Sequence, residues 1–505
     1  MAILKPSSIV KATGVPRRCI DVHAHFFNAS DVPVKGYLEG PVAHDMPAPL
    51  KILVRLLAPM AEALAETAPS AKDEFDELMN MLKQPRLLGA EDPSIAMKQT
   101  FDRAQGEQIQ RMYDVLKNSQ FMDEFNRQKR LDVSRGLTTS RSAAGNDFSV
   151  DAIRNAIEKR YPSSPEKRAQ MTLEGATSPS DPKDGIVAFV YYMLSRRWMN
   201  LQTYAQAFST DKNALGVDTV FGALVDFDRW LDCPPRSSHD DQIKLHQLIS
   251  LLSGGYMRPL VAYNPWTDIA SPGRGLERVI DAIDKRGFIG AKIYPPMGFR
   301  PFGNTQNPLK LSRSHHPSPE DLDRVLGDFW DTCTERDIPV MAHTGESMGW
   351  DDTYDEMGGP PGWEYLLDRY KGKMKGPIIN AGHFGGDSAE KNTNWPESLA
   401  KLMSRSEGKR FYGDLGYWSE LRCREAGQAK CKAAMTRLKA ALDTPLSASE
   451  TIADRIMFGT DWLMLSKEQD WPDYATEMAE ALSGTVGKKL DAFLGKNAMR
   501  CFTRL

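Results

Sequence analysis

The chain has 505 residues, 41% hydrophobic and 26% charged, the make-up of a soluble protein with a substantial core. Its 64 basic and 67 acidic residues leave a formal charge of −3. That balance argues against a bulk nucleic-acid footprint, and short clusters such as RNAIEKR and GKKLD read as solvated helix faces. The opening MAILKPSSIVKATG has no long apolar run, so no secretory signal is expected. The longest apolar stretch, GIVAFVYYML at 185–194, falls short of the ~20 residues of a membrane span and reads as a buried helix. Six scattered cysteines (Cys19, Cys233, Cys333, Cys423, Cys431 and Cys501) without a C-x-x-C pair suggest reduced thiols, not a disulfide framework. Together these features point to a cytoplasmic protein with neither a membrane nor a nucleic acid as partner.

In chain order, the first strand-like run is CIDVHAH at 19–25. Residues 29–215 follow, with helix-period segments such as LKILVRLLAPMAEALAE and GEQIQRMYDVLKNSQFMDEFNRQ. Ser-, Gly- and Pro-rich breaks (LTTSRSAAGNDFS, YPSSPEKR, GATSPSDPKDG) separate them, which reads as one large helical insertion. Strand-like runs then recur at TVFGALVDFD (219–228), LVAYN (260–264), GAKIY (290–294) and IPVMAH (338–343). IINAGH (378–383), FYGDLGY (411–417) and IMFGTD (456–461) complete a set of eight. Helical patterns separate most of them. In SPEDLDRVLGDFWDTCTERD, Ser318 is a candidate N-cap, Pro319 suits the first helical position and Asp321 suits a capping box. Leu322, Val325, Leu326 and Phe329 share one face of that helix. Eight strands alternating with helices predict an α/β fold, a (β/α)8 TIM barrel formed by 17–28 and 216–505. The 29–215 insertion leaves directly after strand 1, so it starts at the rim and reads as a lid or as an oligomerisation arm.

Successive strand side chains alternate between faces, so His23 and His25 project together. Alone, the pair reads as two metal ligands or as two satisfied histidines. Three further runs end on metal-competent residues: His343, His383 and Asp461. Strand C-terminal ends converge at a barrel's functional rim, so the joint pattern points to a metal centre. Imidazoles with a carboxylate suit Zn2+, with Mn2+, Fe2+ or Co2+ also accommodated.

The order His23-x-His25, Lys292, His343, His383, Asp461 resembles the amidohydrolase superfamily, in its amidohydrolase-related branch. That branch also holds nonoxidative decarboxylases similar to aminocarboxymuconate-semialdehyde decarboxylase. The motifs IDVHAH, AKIYPPMGF, MAHTGES, FGTDW and FLGKNAMRCF carry the likeness, over residues 17–28 and 216–505. The long insertion departs from the family's short first loop.

The resemblance implies one divalent metal held by His23, His25, His343 and Asp461, with His383 and Asp461 moving protons. In binuclear relatives the residue matching His383 is a ligand. Lys292 is then either a carbamate bridging a second metal or an amine that contacts substrate. Arg300, in PPMGFRPFG, either grips a substrate carboxylate or forms a loop ion pair. Asp414 is a candidate acceptor for a ligand histidine. Asp226 and Asn264 are strand-end polar or capping residues, Glu346 and Trp350 are candidate pocket walls, and His315 and His316 lie in a polar loop. The activity implied is metal-dependent hydrolysis of a C–N or C–O bond in a small-molecule substrate. Nonoxidative decarboxylation on the same ligands is the alternative.

Overall fold

In the computed structural model, the described residues are 19–37, 61–83, 182–209, 215–231, 233–306, 316–345, 349–386, 394–423, 427–468 and 470–505. A few positions in 100–114, at 308 and at 347 are also described. All eight predicted runs contain strands: β1 (Ile20–Ala24), β2 (Thr219–Ala223), β3 (Met257–Ala262), β4 (Gly290–Ile293), β5 (Val340–His343), β6 (Ile379–Gly382), β7 (Phe411–Asp414) and β8 (Ile456–Met457). They pair in parallel in sequence order. The ring comes round where Val22 N donates to Phe458 O at 3.0 Å and Thr460 N donates to His23 O at 3.2 Å. The architecture is the expected (β/α)8 barrel. β2 stops at Ala223 and β8 at Met457, well before their apolar runs end, so Asp461 lies in a turn beyond its strand.

The Ser-, Pro- and acid-rich start at 318–321 sets its helix as anticipated. In the helix Pro319–Glu335 the Ser318 hydroxyl accepts from Asp321 N at 3.1 Å, satisfying one of the first-turn donors. Leu322, Val325, Leu326 and Phe329 are buried on its inner face. Helices of this kind cover the outer face of the sheet, where Val220, Val261, Ala291, Val340, Ile379 and Phe411 join the main core. The lower barrel interior is a separate apolar plug of Ile20, Val22, Phe221, Leu260, Met341, Ile378 and Met457, floored by Cys501 and Phe502.

The plug exposes an irregularity in β1. Asp21 is level with Val220 but Ala24 is level with Gly222, so two residues of β1 oppose one of β2. This is a β-bulge at Val22–His23. Ile20 and Val22 belong to the interior plug, whereas Ala24 belongs to the outer core. The extra residue lets both Val22 and His23 face inward, while Asp21 points outward. Strict alternation would have put Asp21 beside the two histidines.

Between β1 and β2 the described helices include α1 (Ala71–Leu82), α2 (Pro182–Leu194) and α3 (Arg197–Ala207), besides a short helical turn at Val34–Tyr37. They are stitched to the barrel by buried polar contacts. Asn28 Nδ2 donates to Ser195 O (3.1 Å) and Pro69 O (3.0 Å). The Arg197 guanidinium pairs with Asp31 (2.5 Å) and Glu74 (2.8 Å). The linkers LTTSRSAAGNDFS and YPSSPEKR, and most of the segment starting at Gly106, lie outside the described residues.

One reading from cysteine count is corrected. Cys423 and Cys431 form a disulfide, with Cα atoms 5.1 Å apart across eight residues. The start of the helix Gln428–Leu442 brings Cys431 back to the preceding loop, a proximity that spacing alone did not suggest. Cys19, Cys233, Cys333 and Cys501 are free thiols. Among the described residues, no helix is long and apolar enough to cross a membrane.

Candidate metal centre

Above the apolar plug the barrel interior turns polar. His23, His25, Lys292, Asn380, His383, Asp414 and Asp461 are all buried there. Among the described residues, His23, His25 and Asp461 form one group whose potential ligand atoms lie within 4.8 Å of one another. The Asp461 carboxylate is 3.5 Å from His23 Nε2 and 3.4 Å from His25 Nε2.

The two imidazoles are fixed in one tautomer by what their other nitrogens meet. His25 Nδ1 lies 2.8 Å from the Ala223 carbonyl, which can only accept, so Nδ1 carries the proton. His23 Nδ1 donates to Asp414 Oδ1 at 2.9 Å. Both Nε2 lone pairs therefore face Asp461, and His23 Nε2 is buried without a hydrogen-bond partner among the described residues. Burial holds both imidazoles neutral. The His23 pKa is pushed well down and the His25 pKa falls to about 3, with Lys292 adding to the effect. Neutral imidazoles with Nδ1 anchored and Nε2 presented are what a divalent cation needs, so this donor set fits one.

Asp414, at the end of β7, is the organising acceptor. Its Oδ1 takes His23 Nδ1, Gly416 N (2.9 Å) and His383 N (3.2 Å), and its Oδ2 takes Asn380 Nδ2 at 2.8 Å. The anticipated link from Asp414 to a histidine is thus present. His383 begins a turn just past β6, with φ 68. Its Nδ1 donates to Gly416 O (2.8 Å), leaving Nε2 to accept from His343 Nδ1 at 3.0 Å. That contact places the His343 lone pair on Nε2. His343 stands outside the three-residue group, in contact with His383, whose ring centroid is 4.6 Å from that of His23. Burial lowers the His383 pKa to about 4.

Lys292 projects from β4, with its Nζ buried and without a hydrogen-bond partner among the described residues. Burial lowers its pKa against the pull of Asp414 and Asp461, and burial raises that of Asp461. Arg300 is 4% exposed, and its guanidinium makes no hydrogen bond or ion pair among the described residues. Its backbone is held by Asn304, whose Oδ1 accepts from Arg300 N at 2.8 Å.

The remaining candidates take structural places. Asn264 caps the short helix Pro265–Ala270, accepting from Trp266 N at 2.9 Å, and Asp226 accepts from Asp228 N at 3.0 Å. His316 faces the carbonyls of Pro317 and Gly298. Trp350 is half-buried against the main core. His315 and Glu346 lie outside the described residues.

Sequence reasoning missed two supports. The first is a wall of glycines around His23: a Cβ on Gly416 would sit 2.7 Å from His23 Nδ1, and one on Gly459 would sit 2.8 Å from His23 Cβ. Their recurrence beside rim residues, in GDLGY and FGTD, is a readable signal. The second is Asp21. Its carboxylate accepts from His23 N (2.9 Å), Thr460 N (3.1 Å), Thr460 Oγ1 (2.6 Å) and Tyr204 OH (2.5 Å). Nothing local in the sequence connects Tyr204 to it.

Among known proteins, the family described as amidohydrolase matches residues 259–504. No curated protein matches the chain. Solved structures similar to it include a probable 2-pyrone-4,6-dicarboxylic acid hydrolase from Acinetobacter baumannii, at 10% identity over 60% of this chain and 88% of that one, TM-score 0.35. Another is 2,6-dihydroxybenzoate decarboxylase from Rhizobium, at 15% identity over 60% and 86% of the two chains, TM-score 0.35. A third is a manganese-bound 5-carboxyvanillate decarboxylase from Novosphingobium aromaticivorans, at 13% identity over 67% and 92%, TM-score 0.35.

Proposed function

Residues 259–504 belong to the amidohydrolase family, and from that premise we propose a metal-dependent hydrolase that cleaves a C–N or C–O bond of a small, carboxylated substrate. His23, His25 and Asp461 hold one divalent cation, Zn2+ in the first instance, and His343 presents Nε2 as a fourth donor. The observation that carries this reading is the convergence of two anchored, neutral imidazoles on one buried carboxylate.

What a divalent cation supplies at such a site is Lewis acidity toward a carbonyl and a water whose pKa drops toward about 7. The other tasks fall to the chain's own groups. Asp414 and the Ala223 carbonyl keep His23 and His25 in the ligating tautomer. Asp461, its carboxyl raised by burial, accepts a proton from the attacking water and passes it to the leaving group. His383, with Nδ1–H fixed on Gly416 O, offers Nε2 as the second proton-transfer group. Lys292 serves as a substrate-contacting amine; its carbamate, which would admit a second cation, is the competing form. Arg300, a buried guanidinium without a carboxylate ion-pair partner among the described residues, seats the acid group of the substrate. Within 29–215, α2 and α3 serve to cover this rim, a role supported by the packing of Tyr192 and Tyr204 against Trp462, the residue after Asp461.

Metal analysis of purified protein tests the assignment, with about one equivalent expected and loss in His23→Ala and His25→Ala. Metal-free protein that ignores added Zn2+ and Mn2+ would sink it. Amides, lactones and esters assayed beside 2-hydroxybenzoates separate the chemistries: CO2 release without hydrolysis reassigns the site to a nonoxidative decarboxylase. Intact mass decides whether Lys292 carries a carbamate.

A further inference from the structure

Asp461 occupies an unusual backbone position. Its φ of 53 lies in the left-handed region, which a non-glycine residue adopts at some cost and holds only when its surroundings fix it. What fixes it is visible on both sides. Thr460 donates its backbone N–H and its hydroxyl to Asp21, and that hydroxyl accepts from Trp462 N at 3.1 Å. Asp21 thus clamps the residues flanking Asp461, and the clamp closes on the outer face of β1, away from the histidines.

The fourth donor to Asp21 comes from elsewhere. Tyr204 on α3 places its hydroxyl 2.5 Å from Asp21 Oδ2, with both residues buried. The Tyr204 ring also packs edge-on against Trp462, centroids 5.6 Å apart, and against Phe26 at 5.7 Å. Tyr192 of α2 lies 5.4 Å from Trp462 on the same ring system. The β1–β2 connection therefore grips the turn that carries Asp461 by a hydrogen bond and by ring packing.

We propose that Tyr204 is a positioning residue for the metal-site carboxylate, acting through Asp21 and Thr460 to hold Asp461 in its left-handed turn. This rests on the assignment of His23, His25 and Asp461 as metal ligands. It gives α3 a part in building the site as well as in covering it. Without the Tyr204 hydroxyl, Asp21 loses one of four donors and can rotate away from Thr460, releasing the turn.

The test is metal binding to the full chain. Apo protein is titrated with Zn2+, and Co2+-loaded protein is read by visible absorption, which reports on the ligand arrangement. Tyr204→Phe removes one oxygen and should weaken Zn2+ binding about tenfold or more and alter the Co2+ spectrum. Thr460→Val should do the same, while Thr460→Ser, which keeps the hydroxyl, should restore wild-type behaviour. Met199→Ala on the same helix supplies a buried destabilising change that does not touch Asp21; it should lower Tm and leave the spectrum unchanged. A Tyr204→Phe protein that is folded and matches wild type in affinity and spectrum overturns the inference. An equal spectral change in Met199→Ala overturns it too, because general loosening of α3 would then suffice. Wild-type protein that binds no metal, or binds it equally well as His23→Ala, instead defeats the underlying ligand assignment.

Discussion

Two arcs of the barrel rim contribute polar residues by different means. On β4, β5 and β6, Lys292, His343 and Asn380 stand on regular strands, and alternation alone turns them inward. At the β1–β8 seam, the inward pair His23 and His25 depends on a bulge, and Asp461 depends on a left-handed turn clamped by Asp21. The regular arc needs little beyond its own strand geometry. The seam exists only through contacts between residues far apart in the chain.

Substitutions at the seam should therefore do disproportionate damage. The largest effect is expected from Gly459→Ala, whose Cβ would sit 2.8 Å from His23 Cβ, 3.2 Å from Asp414 Oδ1 and 3.3 Å from Gly416 N. Overpacking of this kind costs roughly 1–3 kcal/mol in stability. It should also abolish measurable metal binding, and preserved binding by calorimetry would show the seam to be more compliant than described.

Acid sensitivity comes next, and a histidine outside both arcs calibrates it. His246 is buried on the helix His239–Leu252, donates Nδ1 to Gln242 O, and has its pKa lowered by burial to about 4. Its folded pKa lies below the unfolded value of about 6.5, so the unfolded chain takes up the proton first. Its contribution is complete above about pH 6.5 and is lost as pH falls toward 4, by roughly 3 kcal/mol at most. In chemical denaturation followed from pH 7 to 4.5, His246→Gln should flatten the fall. The slope that remains then belongs to groups such as the rim imidazoles. An unchanged slope would place the acid lability elsewhere.

A smaller effect is expected at Asp414, which links the two arcs. Asp414→Asn replaces a charged acceptor of His23 by an amide and should weaken metal binding about 10- to 100-fold with little change in Tm. The least is expected on the regular arc. Asn380→Ala removes one hydrogen bond to Asp414 Oδ2, about 1 kcal/mol, and metal affinity should fall less than tenfold. If Asn380→Ala proved as damaging as Asp414→Asn, the contrast between the arcs would fail.

The same contrast explains what could be read in advance. Each apolar run yielded a strand, because periodicity is local and β-propensity acts over a few residues. His23, His25, His343, His383, Asp414 and Asp461 were legible as strand-end polar residues, and the structure brings all six to one rim. The bulge was not legible, since a register shift becomes visible only against the neighbouring strand. Nor was the clamp: Asp21 meets Tyr204 across 183 residues and Thr460 across 439. The Cys423–Cys431 pairing escaped for a related reason, as only the helix start returns one thiol to the other.

The closure of β1 against the residues after β8 also has a consequence for biosynthesis. His23 leaves the ribosome well ahead of its partner segment at 458–462, which follows more than four hundred residues later. At about 5–20 residues per second, the first strand waits roughly 20–90 s before its second edge can be covered. A nascent chain stalled before that point has no Asp461 and an open β1 edge. On the proposed ligand set, a cation can be held only once the 458–462 segment has been made.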